Sequence, residues 1–267
     1  MLFCPGDRPE MYDKALSRAD LVVFDLEDAV APPAKIAARA GVAAVTAAHP
    51  RTSIARINAA GTPWFDDDVA TMRQAGVQRV MLPKASSPAD LENLADFEVV
   101  ALCETAAGVL GAQQLAATSN CLALMWGGED LIADTGGRSS RTRQGRYRPM
   151  IEVARSSVLL AAAAHGKSAI DAVHIDITDT AGLRREAGEA VEMGFAAKAC
   201  IHPSHVEFIR AAFRPDVHQV DWARKILAAS EGTRGVFRHE DQMIDAPLLA
   251  HARSIMERND DALRTDT

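Results

Sequence analysis

RVMLPKASSPADLENLADFEVVALCET, residues 79–105, holds one full repeat of the architecture. Two short aliphatic runs, RVMLPK (79–84) and VVALCET (99–105), flank SPADLENLA (87–95), whose Ser87-Pro88 pair is a helix-entry signal. The runs do not alternate apolar with polar, as expected of strands buried on both faces of a parallel sheet. A strand, a helix and a second strand therefore follow one another within 27 residues.

The same rhythm extends in both directions. LFCPG (2–6), LVVFDLED (21–28) and SIARIN (53–58) come before it, and LALMWGGED (122–130), DAVHID (171–176) and KACIHP (198–203) come after. Alanine-rich amphipathic segments separate them: 11–19, 32–48, 67–76, 106–118 and 183–194, with helix stops expected at Gly41, Gly76 and Gly194. No fixed-period sequence repeat is present. Eight strands alternating with helices over about 200 residues predict an α/β fold, a (β/α)8 TIM barrel with a C-terminal helical arm. A doubly wound open sheet is the alternative, but its Gly-rich dinucleotide loop is missing and CPGD offers a single glycine. The expected division is a catalytic barrel over 1–203 and an extension or lid over 204–267. Helical runs are expected at Val206–Ala212, Val220–Ser230 and Pro247–Met256, with EGTRGVFRHEDQMID (231–245) as a connector.

The chain has 267 residues, 48% hydrophobic and 24% charged, with a formal net charge of −7. That aliphatic content excludes intrinsic disorder, and an acidic, aromatic-poor chain argues against nucleic-acid binding. SSVLLAAAAHG (156–166) is too short for a membrane span, and MLFCPGDRPE lacks the layout of a secretory signal. Cys4, Cys103, Cys121 and Cys200 have no metal-like spacing, so free buried thiols in a cytoplasmic protein are expected.

Catalytic groups of a TIM barrel stand at the C-terminal ends of its strands. Here those ends carry Asp25, Glu27, Asp28, Arg56, Asn58, Lys84, Glu104, Glu129, Asp130, Asp176 and His202. Carboxylates converging on one mouth repel each other, and a hard divalent cation such as Mg2+ is the simplest compensation. Taken singly, Glu104 and Asp130 also suit helix-opening positions, and Arg56 suits a salt bridge to Glu27 or Asp28. Lys84 is either a Schiff-base nucleophile or, beside acidic neighbours, a counter-ion. His202 reads as structural or pocket-lining.

DLED (25–28), R-x-N (56–58), LPK (82–84), E-T-x-x-G (104–108), G-x-E-D-L (127–131), KACIHP (198–203) and QMIDAPLL (242–249) occur in this order. Together they resemble the HpcH/HpaI aldolase and citrate lyase family, in particular the stand-alone citrate-lyase-beta-subunit-like members. The resemblance implies a Mg2+-dependent carbon–carbon lyase. Such an enzyme cleaves or forms a 3-hydroxyacyl-CoA, such as citramalyl-CoA, malyl-CoA or a hydroxymethylglutaryl-CoA-like thioester, with an acyl-CoA and a keto acid as the other side of the reaction. It implies Glu104 and Asp130 as metal ligands, Arg56 on the substrate oxygens, and Glu27 and Asp28 holding metal-bound waters or Arg56. Phe3, Arg8, Lys14, Lys84, Ala199 and Cys200 would line the substrate and coenzyme A site. Glu10 departs from a lysine found in some relatives, and Arg138, Arg141, Arg143 and Arg146 are a second candidate for anionic groups. Asp245 would act as acid/base across the interface of a homotrimer. Family members carry an Arg-Ser pair just ahead of the first strand, so the expectation is that part of the substrate-binding N-terminus is missing. The alternatives are a citrate lyase beta subunit working with an acyl-carrier partner, and a metal-dependent aldolase acting on CoA-free hydroxy-keto acids.

Overall fold

The computed structural model describes residues 1–231, 235–239 and 241–265. Eight parallel strands follow chain order in one sheet: β1 (Leu2–Pro5), β2 (Val22–Asp25), β3 (Ser53–Arg56), β4 (Arg79–Leu82), β5 (Glu98–Cys103), β6 (Cys121–Trp126), β7 (Ser168–Asp171) and β8 (Ala197–Lys198). The sheet closes on itself. Just beyond β8, Cys200 bridges Leu2 in parallel, with Phe3 N donating to Cys200 O (2.9 Å) and Cys200 N to Met1 O (2.9 Å). This is the TIM barrel read from the sequence.

The intervening helices are α1 (Tyr12–Arg18), α2 (Lys35–Ala48), α3 (Phe65–Ala75), α4 (Pro88–Glu92), α5 (Ala106–Leu110), α6 (Ala112–Ala117), α7 (Gly128–Asp134), α8 (Pro149–Ala164) and α9 (Thr180–Met193). Helices α3 and α9 end at Gly76 and Gly194 in the left-handed conformation, which glycine adopts without a Cβ penalty. Helix α2 runs through Gly41 to Ala48 instead of stopping there. A single glycine costs a helix only about 1 kcal/mol, and the buried face of Ala38, Val42 and Ala43 outweighs it. The seventh strand also differs from expectation. It is Ser168–Asp171, level with β6 through the pairs Ala123–Ser168 and Met125–Ile170, and DAVHID begins only at its last residue.

Side chains two apart in a strand share a face. Val23, Ile54, Met81, Val100, Leu102, Ala123, Met125, Ile170 and Ala199 form one buried aliphatic cluster drawn from six strands, β2–β7, and the β8 end, the filling of the barrel. The opposite face of β6–β8 meets the helices through buried charge. Asp171 accepts from Trp126 Nε1 (2.8 Å), Arg155 Nε (2.8 Å), Arg155 Nη2 (3.2 Å) and Lys198 Nζ (2.9 Å). Lys198 is also 3.6 Å from Glu186, which takes Arg141 at 2.9 Å and has His174 Nδ1 at 3.1 Å. Burial alone would push the Glu186 carboxyl up. The His174 contact and the Lys198 and Arg141 charges outweigh it and hold the group at about 2.

The chain divides into two compact units, Met1–Ile209 and Arg210–Thr267. Around and beyond the division lie α10 (Val206–Phe213), α11 (Val217–Ser230), β9 (Phe237–His239), β10 (Gln242–Ile244) and α12 (Ala246–Thr265). The stretch read as a connector thus contains an antiparallel strand pair, with its residues 232–234 and 240 outside the described residues. The second unit has its own core of Val220, Ala223, Ile226, Ile244, Ala252 and Ile255. The four cysteines are free and buried. No helix among the described residues is long and apolar enough to cross a membrane.

Replacing Asp171 by alanine strands two buried cations, so Asp171→Ala should cost about 3–5 kcal/mol in urea unfolding. A wild-type midpoint would contradict the network. Because Glu186 titrates at about 2 when folded against a reference of 4.5, its stabilisation is present above pH 4.5 and lost as pH falls toward 2. Glu186→Gln should flatten the stability profile in that window, as read from urea midpoints at each pH.

Candidate active site

The alternation that fills the barrel also builds its rim. Val23 is followed two residues on by Asp25, Ile54 by Arg56, Leu102 by Glu104 and Met125 by Gly127, so each aliphatic position is topped by a residue on the same face. Asp25 and Arg56 are register partners at the ends of β2 and β3. Arg56 donates to Asp25 through Nε (2.6 Å) and Nη2 (2.5 Å), a two-pronged charge-assisted contact, and its Nη1 is 3.1 Å from Glu27 Oε2. Phe3 lies beneath the guanidinium at 4.9 Å. Burial works against the Arg56 charge, but Asp25, Glu27 and Glu104 raise its pKa above the usual value.

The loop after β2 is pinned from below. Lys35 Nζ donates to Leu26 O (2.7 Å), Glu27 O (2.6 Å) and Asn58 Oδ1 (2.7 Å), which fixes the backbone that presents Glu27. Lys35 stands at the first position of α2, where helix periodicity gives no hint of a charged group facing inward. Asp28 is exposed.

Glu104 is buried at the end of β5, and Asp130 stands half-exposed in the first turn of α7. Lys84 joins them: its backbone N–H donates to Glu104 Oε1 (3.1 Å), and its Nζ hydrogen-bonds Glu27 and lies 3.9 Å from Glu104 and 3.8 Å from Asp130. Burial alone would lower the Lys84 pKa, but the Glu27 hydrogen bond and the Glu27 and Glu104 charges raise it. That is the opposite of what an amine nucleophile needs, so Lys84 stands as a counter-ion. Space for Glu104 is made by Gly127, where a Cβ would come 2.8 Å from the Glu104 Cβ.

Burial pushes the Glu104 carboxyl up to about 8, and the Asp130 and Glu27 charges add to the effect against Lys84 and Arg56. A carboxyl raised this far by burial and by adjacent acids is short of positive charge. Among the described residues, no three His, Cys, Asp or Glu side chains group so as to hold an ion by themselves. The two carboxylates present, Glu104 and Asp130, fit Mg2+, which takes one or two carboxylates and leaves its other positions to water and substrate oxygens.

The remaining sequence candidates are dispersed. Arg8 is exposed, 3.9 Å from Asp7 and from Glu10, and Lys14 is exposed on α1. Ala199 and Cys200 are fully buried at the barrel seam, where Ala199 belongs to the aliphatic filling. Arg141 is committed to Glu129, Glu186 and Tyr147, whereas Arg138, Arg143 and Arg146 are exposed. His202 caps a short 3-10 turn, accepting from Ser204 N (3.2 Å). In the second unit, Asp245 accepts from Leu248 N (3.2 Å) at the start of α12.

This chain is similar to known proteins along most of its length. The model of the HpcH/HpaI aldolase/citrate lyase family matches residues 1–203. A citrate lyase subunit beta-like protein of Mycobacterium tuberculosis is 46% identical over 261 residues, covering 98% of this chain and 95% of that protein. A (3S)-malyl-CoA thioesterase of Cereibacter sphaeroides is 35% identical over 243 residues, covering 86% and 82%. The crystal structure of protein CitE from Mycobacterium tuberculosis, in complex with magnesium, acetoacetate and coenzyme A, superposes with a TM-score of 0.90 at 46% identity, covering 97% of each chain.

Gly127→Ala should force Glu104 out of its position and cost about 1–3 kcal/mol, measured as a lower urea midpoint. An unchanged midpoint would mean that the rim has more room than these distances allow.

Proposed function

The chain belongs to the HpcH/HpaI aldolase/citrate lyase family, and from that premise we propose that it is a Mg2+-dependent carbon–carbon lyase acting on a 3-hydroxyacyl-CoA such as malyl-CoA or citramalyl-CoA. The observation that carries this reading is the under-neutralised Glu104–Asp130 pair standing beside the buried Arg56 guanidinium. The binding of magnesium, acetoacetate and coenzyme A by CitE supports the choice of ion and of thioester.

Glu104 and Asp130 would hold the ion. Bound there, magnesium supplies a Lewis acid that polarises the oxygens of the hydroxy or keto acid portion. The protein does the rest. In the cleavage direction the hydroxyl on C3 gives up its O–H proton to solvent, the bond between C2 and C3 breaks, C3 becomes the carbonyl carbon of the keto acid, and the electron pair of the broken bond remains on C2 and the thioester oxygen as an enolate. Arg56, kept cationic by Asp25 and Glu27 and fixed over Phe3, is oriented before the reaction to stabilise that oxygen. Asp25 holds two guanidinium nitrogens and Glu27 lies against the third, so the side chain has little freedom to rotate away as charge develops. Asp245, supplied by a neighbouring copy in a homotrimer, delivers the proton to the enolate carbon and yields the acyl-CoA. Arg8 and Lys14, both exposed, are suited to the phosphates of the coenzyme.

The name of the Cereibacter sphaeroides relative favours a second reading, hydrolysis of the thioester. The two differ in products. Incubation of the purified protein with Mg2+ and malyl-CoA or citramalyl-CoA should release a keto acid, trapped as its phenylhydrazone, with no free thiol. Free coenzyme A without keto acid would establish the hydrolase instead, and absence of both products from a folded oligomer would reject the lyase. Arg56→Ala should lower kcat by about 10²–10³-fold, the usual loss for an oxyanion donor. Asp245→Asn should abolish turnover and leave Mg2+ binding intact. Mixing the Arg56→Ala and Asp245→Asn proteins should restore part of the activity, because some mixed trimers contain an intact site; no recovery after subunit exchange would exclude a shared site.

A further inference from the structure

Among the described residues, Lys84 is the one non-glycine residue with a positive φ, 55°. Single residues other than glycine, asparagine or aspartate seldom adopt this left-handed state, and where they do the surroundings must hold them there. Here the constraint is visible: the left-handed backbone aims the Lys84 N–H at Glu104 Oε1 (3.1 Å) while its side chain returns over the same carboxylate. The Nζ is hydrogen-bonded to Glu27, 3.9 Å from Glu104 and 3.8 Å from Asp130. One ammonium thus serves three carboxylates, two of them the groups assigned to the metal. The side chain is 37% exposed, so it borders solvent.

We propose that Lys84 is a positioning residue that acts as the resident cation of the metal site: its ammonium partly offsets the charge of Glu104 and Asp130 when no metal is bound and is displaced from them when Mg2+ binds. The inference rests on the assignment of Mg2+ to Glu104 and Asp130. A dication and an ammonium held against the same two carboxylates repel each other, so each weakens the other's binding. Glu27 stays available to the displaced ammonium as an anchor, since its Oε1 bonds Lys84 and its Oε2 faces Arg56. The left-handed backbone keeps the lysine within reach for its return, so the metal-free site always has part of its negative charge offset. Lys84 is by this account a brake on metal affinity that protects the metal-free protein.

The test is a Mg2+ titration by calorimetry, with melting temperatures of the metal-free and Mg2+-saturated proteins. Lys84→Met keeps the length of the side chain and removes its charge. It should melt lower than wild type without metal, bind Mg2+ at least tenfold more tightly, and gain more from Mg2+ in melting temperature. Lys84→Gly suits the left-handed backbone and should bind Mg2+ as tightly as Lys84→Met, which covers the case in which the methionine variant folds poorly. Lys84→Arg keeps the charge and should stay near wild-type affinity. A lysine of purely structural importance would lower both melting temperatures without tightening Mg2+. Unchanged or weaker Mg2+ binding in Lys84→Met and Lys84→Gly, with measurable binding to wild type, overturns the proposal alone. Absence of Mg2+ binding to folded wild type overturns the metal assignment and this proposal with it.

Discussion

The contact on which the rim depends is the two-pronged bond between Arg56 and Asp25. It joins the ends of two adjacent strands, so its geometry is set by the sheet rather than by a loop. With Asp25 committed in this way, the guanidinium turns its remaining edge to Glu27, and Glu27 in turn holds Lys84. The chain of alternating charges ends at Glu104 and Asp130, where negative charge exceeds positive. A barrel floor of valine, leucine, isoleucine and methionine offers those carboxylates no solvation from below. The imbalance is therefore chemical potential directed at the open side of the barrel, where a cation and an anionic substrate can enter together.

The two buried charge networks of the first unit are built to different ends. On the outer face of β7 and β8, Asp171 receives four donor contacts and Glu186 is held ionised at about 2. That network matches both carboxylates with cations and serves to join sheet to helices. At the rim, burial first, and then the Asp130 and Glu27 charges, push Glu104 up to about 8, and Lys84 and Arg56 do not offset them. Strong perturbation marks both places, and only its direction separates cement from reactivity.

Much of this was legible in the residues. Short aliphatic runs ending in charge gave the barrel and located Asp25, Arg56, Lys84, Glu104 and Asp130 on its rim, because period-two alternation and parallel topology leave those positions little choice. The left-handed stops at Gly76 and Gly194 followed from glycine chemistry, whereas Gly41 did not stop its helix, since burial of one face overrode a small local preference. Lys35, Arg155, Lys198 and Glu186 were not legible. Their partners lie on other elements, Lys198 and Asp171 being 27 residues apart and Arg141 and Glu186 45, and no local pattern encodes such pairings. The seventh strand was displaced for a related reason: Asp171 looks like a strand opening in sequence but is the strand's last residue, kept there by cations from two neighbours.

The buried charge network on the outer face of β7 and β8 also bears on how this barrel can vary. Removing the aspartate leaves a lysine and an arginine stranded, and removing the lysine leaves the acids crowded, so each single replacement passes through a form worse than either end state. Asp171, Arg155, Lys198 and Glu186 are consequently coupled as sequence positions: a lineage can keep the whole set or exchange it for an apolar one, but it has no smooth route between them. Variation in that wall should come in blocks, while Arg138, Arg143 and Arg146, exposed on the loop nearby, remain free to change one at a time.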